Sequence, residues 1–396
     1  MKKDEIIILG AFRFPDKDAA AKRVYGFGKY LKQHDYTVSF ISWCDDENEH
    51  TYSKFYDSFK YISLSEFNSG KGSILNRIVR YLSMGNKTLD YLKKIDTSKV
   101  KKIIAYHGTS IFLLRLHSFC KERNIELILD ITEWYEYSHL KGGKFGLVAV
   151  DNMIRMNIIN KMIGKMIVIS SFLYNFYKER NCEVTLIPFL IDMKDDNKVV
   201  FQKEVENTIL KLVYIGSPAK KDSFEAILRA IKEINKEKLK VKLDIYGVTL
   251  DDFKNNNPDI NHDLVNNSYI LFHGRVLNKE VESVYSHYHF SILFRPNMRY
   301  AKAGFPTKLV ESFSYTVPII ASDVGDISNY VINGETGFLV NSLNTKEIKT
   351  VINHILKMNN EEYRKMSYSS YEIALKKFDY KQEKKLIQFI KGVYVR

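Results

Sequence analysis

FRPNMRYAKAGFPTKLVESFSYTVPIIASDVGDISNYVINGETGFLV, residues Phe294–Val340, reads as loop, helix, buried strand, glycine turn, short helix, then a second glycine turn and strand. Gly304, Phe305, Pro306 and Thr307 open the helix, because Gly, Pro and Thr suit its first turn. The N–H groups of a first turn have no acceptor within the helix and make a natural anion site. Lys308 puts a positive charge there, where the helix dipole alone prefers a negative one. A cation in that place makes sense beside an anionic ligand. Glu311, one turn on, is a poor choice for a buried helix unless it has a partner. A cation and a carboxylate beside a helix N-terminus suit a phosphorylated ligand that carries hydroxyls, such as a nucleotide sugar.

The same alternation continues outward in both directions. In the first half, Ile6–Leu9, Thr37–Ser42, Ile103–Ala105, Glu126–Leu129, Met166–Ile169 and Leu186–Pro188 are short apolar runs of the buried parallel kind, with helical pattern between them and a helix near Ala19–Gln33. In the second half, Leu212–Ile215, Lys240–Tyr246, Tyr269–Phe272, Phe290–Phe294, Pro318–Ser322 and Gly337–Val340 repeat the scheme. Strands interspersed with helices predict an α/β protein of two doubly wound, Rossmann-like domains facing a cleft. The polar stretch MKDDNKVVFQKEVEN reads as a linker. We therefore expect a first domain over 1–193, a linker over 194–208, a second domain over 209–378 and a terminal helix over 379–396. Ligands of such sheets sit beyond the carboxyl ends of the strands. Gly10, His107, Asp130, Ser170, Gly216, Gly247, Gly274 and Arg295 fall at those ends.

Length and composition agree with this. The chain has 396 residues, enough for two cores, and its 45% hydrophobic content with only seven prolines excludes disorder. Cys44, Cys120 and Cys182 are far apart and odd in number, with no CxxC pattern or Cys/His cluster. Neither a disulfide framework nor zinc is expected, and a reducing cytoplasm fits. The acidic run Asp45-Asp46-Glu47 reads as an exposed loop, so no metal is expected. No apolar run reaches the roughly 20 residues that span a bilayer.

The net charge of +13 is uneven: Lys71–Lys102 holds nine Lys or Arg against two Asp, and Lys141–Lys165 is a second basic segment. Leu75, Ile78, Leu82, Leu89 and Leu92 recur there at helical spacing. Two readings stay open: solvated helix faces whose apolar sides meet the core, or a surface that docks on anionic lipid. No reader motif for nucleic acid is present.

The segments LVYIGSPAKKDSFEAILRAI (212–231), VKLDIYG (241–247), YILFHGRV (269–276) and the GFPTKLVES stretch that opens at Gly304 come in an order and spacing that resembles one family. The chain resembles the retaining nucleotide-sugar glycosyltransferases of the GT-B fold, close to family 4. The resemblance covers nearly the whole chain. It implies a donor, a nucleoside diphosphate sugar carrying UDP or GDP, on the second domain. It also implies a sugar, lipid-linked or protein acceptor at the first, and no other cofactor.

Residue by residue, the resemblance puts Lys221 beside the donor diphosphate and Glu311 at the ribose. Gly216, Ser217, Gly247, Gly304, Phe305, Pro306, Thr307 and Lys308 would meet the diphosphate and sugar. The turn holding Gly274, Arg275 and Val276 would meet the base, and Gly10 with Ala11 would form a glycine loop in the first domain. Arg295 is a further phosphate partner. His107, Asp130 and Glu133 are candidates to bind the acceptor hydroxyl or donor sugar. Two positions depart from the family pattern: Ala303 stands where a glutamate is usual, and Ser217 where an arginine is. They keep two rival readings open, a non-catalytic partner subunit and a sugar-nucleotide epimerase of the same fold. The resemblance also implies cell-surface polysaccharide or glycoconjugate assembly.

Overall fold

The computed structural model describes residues 3–15, 17–43, 53–66, 73–193, 204–206, 208–216, 218, 222–277, 280–341 and 343–393. The chain divides into two compact units: unit 1 is Met1–Asp192 with Asp379–Arg396, and unit 2 is Met193–Phe378.

Unit 1 is built on strands β1 (Glu5–Gly10), β2 (Thr37–Ser42), β3 (Lys54–Tyr56), β4 (Phe59–Ser63), β5 (Val100–Tyr106), β6 (Glu126–Ile131), β7 (Lys165–Val168) and β8 (Glu183–Leu186). They form one sheet in the order β3-β4-β2-β1-β5-β6-β7-β8, parallel except for β3 against β4. Ile6, Ile7, Ile8 and Leu9 are all buried, as a central strand covered on both faces requires. The strand order reverses between β1 and β5, which makes their carboxyl ends the switch point where ligands of such sheets bind.

The helix Ala19–Gln33 is capped by Asp18, whose carboxylate accepts from Ala21 N–H (2.7 Å). It packs Val24, Phe27, Tyr30 and Leu31 into the unit 1 core. Leu386, Phe389 and Ile390 of the helix Lys385–Lys391 enter the same core. The return of the chain is pinned by Tyr380 N–H donating to Ile191 O (3.0 Å) and by a Lys381–Asp192 ion pair (3.0 Å).

Three features of unit 1 differ from the sequence reading. The strand expected at Leu186–Pro188 is Glu183–Leu186, because Pro188 has no N–H to carry the ladder on. The hairpin β3–β4 was not legible. The basic segment makes two helices, Ile74–Ser83 and Asn86–Lys94, broken at Gly85 (φ +86°). Leu89 and Leu92 of the second are buried, but Leu75 and Val79 of the first are 68% and 57% exposed. Leu75, Val79 and Leu82 of that first helix therefore do not meet the core, while Ile78 and Tyr81 are half-buried.

Unit 2 holds β9 (Leu210–Ile215), β10 (Val241–Tyr246), β11 (Ile270–Phe272), β12 (Phe290–Leu293), β13 (Ile319–Ser322) and β14 (Gly337–Val340). They form a parallel sheet in the order β11-β10-β9-β12-β13-β14, with the switch point between β9 and β12. Within Phe294–Val340 the helix Thr307–Ser314 is preceded by a short helix, Arg299–Ala303, where the sequence predicts loop. Most of the expected linker 194–208 lies outside the described residues. Of the rest, Val205 and Glu206 N–H both donate to Asn360 Oδ1 at 2.9 and 3.0 Å within unit 2.

Candidate functional site

The strand ends of unit 2 bring three of the expected glycines together. Gly274 N–H donates to Val248 O (3.1 Å), Gly247 N–H to Gly274 O (2.6 Å) and Gly216 N–H to Tyr246 O (2.8 Å). Gly247 has φ +111°, and a Cβ there would strike Gly216 O. At Gly216 a Cβ would lie 2.6 Å from Lys308 Cε and 2.8 Å from Lys308 Nζ. The lysine therefore reaches back from the first turn of Thr307–Ser314 to lie against bare backbone at the end of β9.

Lys308 Nζ also sits 4.5 Å from the ring centroid of Tyr214, a cation–π contact. The Tyr214 hydroxyl donates to Asp222 Oδ2 (2.5 Å), and Asp222 Oδ1 is 3.6 Å from Arg295 Nε. That last separation is an ion pair too long for a hydrogen bond, and Arg295 Nε is buried with no acceptor among the described residues. Arg295 is held by its backbone: its N–H donates to Ser322 Oγ (2.8 Å), whose hydroxyl donates back to Arg295 O (2.9 Å). Lys308, Tyr214, Asp222, Arg295 and Ser322 thus form one polar line across the carboxyl ends of β9, β12 and β13. Glu311 is half-buried near Tyr285 and Tyr315; the Tyr315 phenol is pushed up to about 12 by burial first and then by the Glu311 charge.

The remaining expected unit 2 residues play different parts. Phe305 is buried against Tyr330 and Phe378 at 5.5 and 5.8 Å, so its side chain packs and only its backbone borders the helix start. Pro306 precedes the helix without a side-chain cap, and Thr307 begins it. Arg275 is exposed and Val276 half-buried beyond β11. Ala303 is fully buried. Lys221, Ser217, Cys44 and Asp45-Asp46-Glu47 lie outside the described residues.

In unit 1, Gly10 and Ala11 end β1, and Ala11 N–H donates to Tyr106 O (3.0 Å). His107 follows β5 with a left-handed backbone, φ +52°. Arg155 Nη1 donates to His107 Nδ1 (3.0 Å). Because arginine only donates, the imidazole proton sits on Nε2, which donates to Thr132 Oγ1 (2.8 Å). Thr132 Oγ1 also bonds the Tyr106 hydroxyl (3.0 Å), and the Tyr135 ring stacks over His107 at 6.4 Å. Burial first, then the charges of Arg155 and Arg23, hold His107 well below its usual 6.5. The ring is a neutral, fully engaged member of a network rather than a ready general base.

A native His107 that refuses a proton makes folding pH-dependent in a definite sense. The unfolded chain takes up that proton as the pH falls through 6.5, so the unfolded state binds more protons there and stability drops. Stability is greatest above that pH and declines on acidification until the native ring also protonates. His107→Asn, which suits a left-handed backbone, is expected to give a shallower fall in melting temperature between about pH 7 and about pH 5. Equal slopes for the two proteins would remove His107 as the cause.

Asp130 lies elsewhere than its strand-end position suggests. Its side chain is fully buried and paired two-pronged with Arg23: Nε donates to Oδ2 (2.9 Å) and Nη2 to Oδ1 (2.8 Å). Arg23 Nη1 also donates to Ile187 O (3.1 Å) and Pro188 O (3.0 Å). Asp130 therefore sits in an internal ion pair, because β6 is an interior strand and a lone carboxylate there needs a cation. Glu133, three residues on, is half-buried and bonds Tyr135. Arg155, Thr132, Tyr214 and Asp222 were not singled out in the sequence; only their neighbours were.

Residues 195–373 match the glycosyl transferases group 1 family. The fold is that of sucrose-phosphate synthase from Thermosynechococcus elongatus, at TM-score 0.73 and 14% identity over 99% of this chain and 100% of that one. The chain has the GT-B fold. HepE from Anabaena in complex with UDP and glucose superposes on this chain at TM-score 0.67 and 13% identity, covering 98% of this chain and 100% of that one. WaaG, a glycosyltransferase involved in lipopolysaccharide biosynthesis, does so at 0.66 and 10%, again covering 98% and 100%. At these identities the likeness is one of fold. No curated protein matches the chain in sequence.

Proposed function

We propose that the protein moves a sugar from a nucleoside diphosphate sugar to a hydroxyl acceptor, with the donor seated on unit 2. The observation that carries this reading is Lys308: an ammonium on the first turn of a helix, laid against Gly216 at the switch point of the sheet. A diphosphate there meets the first-turn N–H groups, the Lys308 charge and Arg295 Nε, a buried donor without an acceptor among the described residues. Lys221 is the third cation of this reading. These groups stabilise negative charge that grows on the leaving phosphate as the glycosidic bond breaks. Glu311, next along the same helix, takes ribose hydroxyls.

The glycosidic bond is replaced with retention. The acceptor attacks the face the diphosphate leaves, and a phosphate oxygen takes the acceptor proton, so no strong protein base is required. That fits a His107 held neutral with both ring nitrogens engaged. The fold shared with HepE, bound to UDP and glucose, and with WaaG supports UDP as the carrier and cell-surface glycoconjugate assembly as the setting.

A thermal-shift screen with UDP-, GDP- and dTDP-sugars tests the donor, since a specific ligand stabilises by RT ln(1 + [L]/Kd), roughly 2.7 kcal/mol at a hundredfold excess over Kd. One nucleotide class is expected to stand out. Proton NMR of the product then reports the anomeric configuration. No stabilisation by any of the three classes would overturn the donor reading, and an inverted product would overturn retention.

A further inference from the structure

We infer that one face of unit 1 is a docking surface for an anionic lipid bilayer, formed by the helix Ile74–Ser83 and the helical run that begins at Leu147. Leu75, Val79 and Leu82 recur at i, i+4 and i+7 and are 68%, 57% and 38% exposed, an apolar stripe turned outward. Phe145 is 88% exposed just ahead of the second run, and Met153, Ile158 and Met162 are 55%, 58% and 48% exposed along it. The two elements are tied to each other, since the Tyr81 hydroxyl donates to Asp151 Oδ2 (2.9 Å). No helix among the described residues is long and apolar enough to cross a membrane.

The charge pattern selects the occupant. Segments 73–89 and 138–165 contain a single carboxylate, Asp151, while Arg77, Arg80, Lys141, Lys144 and Lys161 lie among the apolar residues. Asp151 is already engaged by Tyr81 and by Ser110 N–H (3.0 Å). Exposed apolar side chains with cations around them and no balancing acid match the boundary between headgroups and acyl chains of an anionic leaflet. A second copy of this chain fits poorly, because it would set the same cations against each other. The surface belongs to unit 1 and the Lys308 line to unit 2, so it stands independently of the donor reading and adds to it a reason for the acceptor to be lipid-borne.

The test is flotation of the full chain with vesicles of phosphatidylcholine alone or mixed with phosphatidylglycerol. Binding is expected only to the anionic vesicles and is lost at high salt. The pair Arg77→Gln and Lys144→Gln is expected to weaken binding about thirtyfold. The set Leu75→Ser, Val79→Ser and Phe145→Ser is expected to weaken it at least about tenfold. Circular dichroism and the nucleotide-sugar thermal shift should be unchanged in both, which separates a failed surface from a failed fold or donor site. Equal binding to neutral vesicles, or full binding by both variants, overturns the inference. So does a dimer in light scattering that the same substitutions dissolve.

Discussion

Replacing Arg23 with alanine is expected to destabilise unit 1 by about 3–5 kcal/mol. The guanidinium makes three bonds to the two carboxylate oxygens of Asp130 and two to the carbonyls of Ile187 and Pro188, all buried. Removing it leaves a carboxylate and two backbone oxygens without donors in a place water does not reach. Arg23→Lys should not rescue, because a point ammonium cannot make the two-pronged contact. By contrast, changing Arg23→Met and Asp130→Leu together removes both charges, and only the two carbonyl oxygens are then left without a donor. The double variant is expected to be more stable than Arg23→Ala. Urea unfolding followed by tryptophan fluorescence is the measurement, since the two tryptophans, Trp43 and Trp134, both lie in unit 1. A midpoint for Arg23→Ala within error of the parent protein would show that the pair is not held as described.

The second large effect is on turnover. Lys308→Ala is expected to lower kcat by about 10²- to 10³-fold, the size usual for losing one group that stabilises charge developing in a transition state. Stability of the free protein should change far less, since the lysine is half-buried and its contact with the Tyr214 ring contributes about 1 kcal/mol or less. The thermal shift caused by UDP alone should shrink as well, because the diphosphate rather than the sugar is the lysine's partner in this reading. An unchanged kcat together with an unchanged UDP shift would remove Lys308 from the site. An unchanged shift with a lowered kcat would instead confine its role to the transition state.

Much of this architecture could be read from residues because parallel interior strands announce themselves. Thr37–Ser42 and Gly337–Val340 begin and end where their apolar runs do, and the other interior strands differ by a few residues at their ends. The hairpin β3–β4 was hidden for a specific reason. Its turn places Asp57 and Ser58 at φ +46° and +64°, a conformation normally signalled by Asn-Gly, where this turn has Asp-Ser. Within the site, glycines and first-turn residues were legible because backbone geometry demands them. Side-chain partners were not, since Arg155 and His107 are 48 residues apart in sequence and Arg23 and Asp130 are 107 apart. One clue was available: Arg23 shares a helix face with Phe27, Tyr30 and Leu31, and Asp130 is the only charge within LILDI. A cation in an apolar stripe and an acid in an interior strand each call for the other.

The discontinuity of unit 1 sets an order on synthesis. A ribosome releases all of Met193–Phe378 before Leu386, Phe389 and Ile390 exist, yet those three side chains belong to the core begun by Ile6 and Ile8. The amino-terminal half therefore waits, with an apolar gap at its flank, while the whole of the other unit emerges and folds. A chain broken off before Asp379 would carry an intact second unit beside an unfinished first one. Completion of the first unit is in this sense a check that translation has passed Ile390.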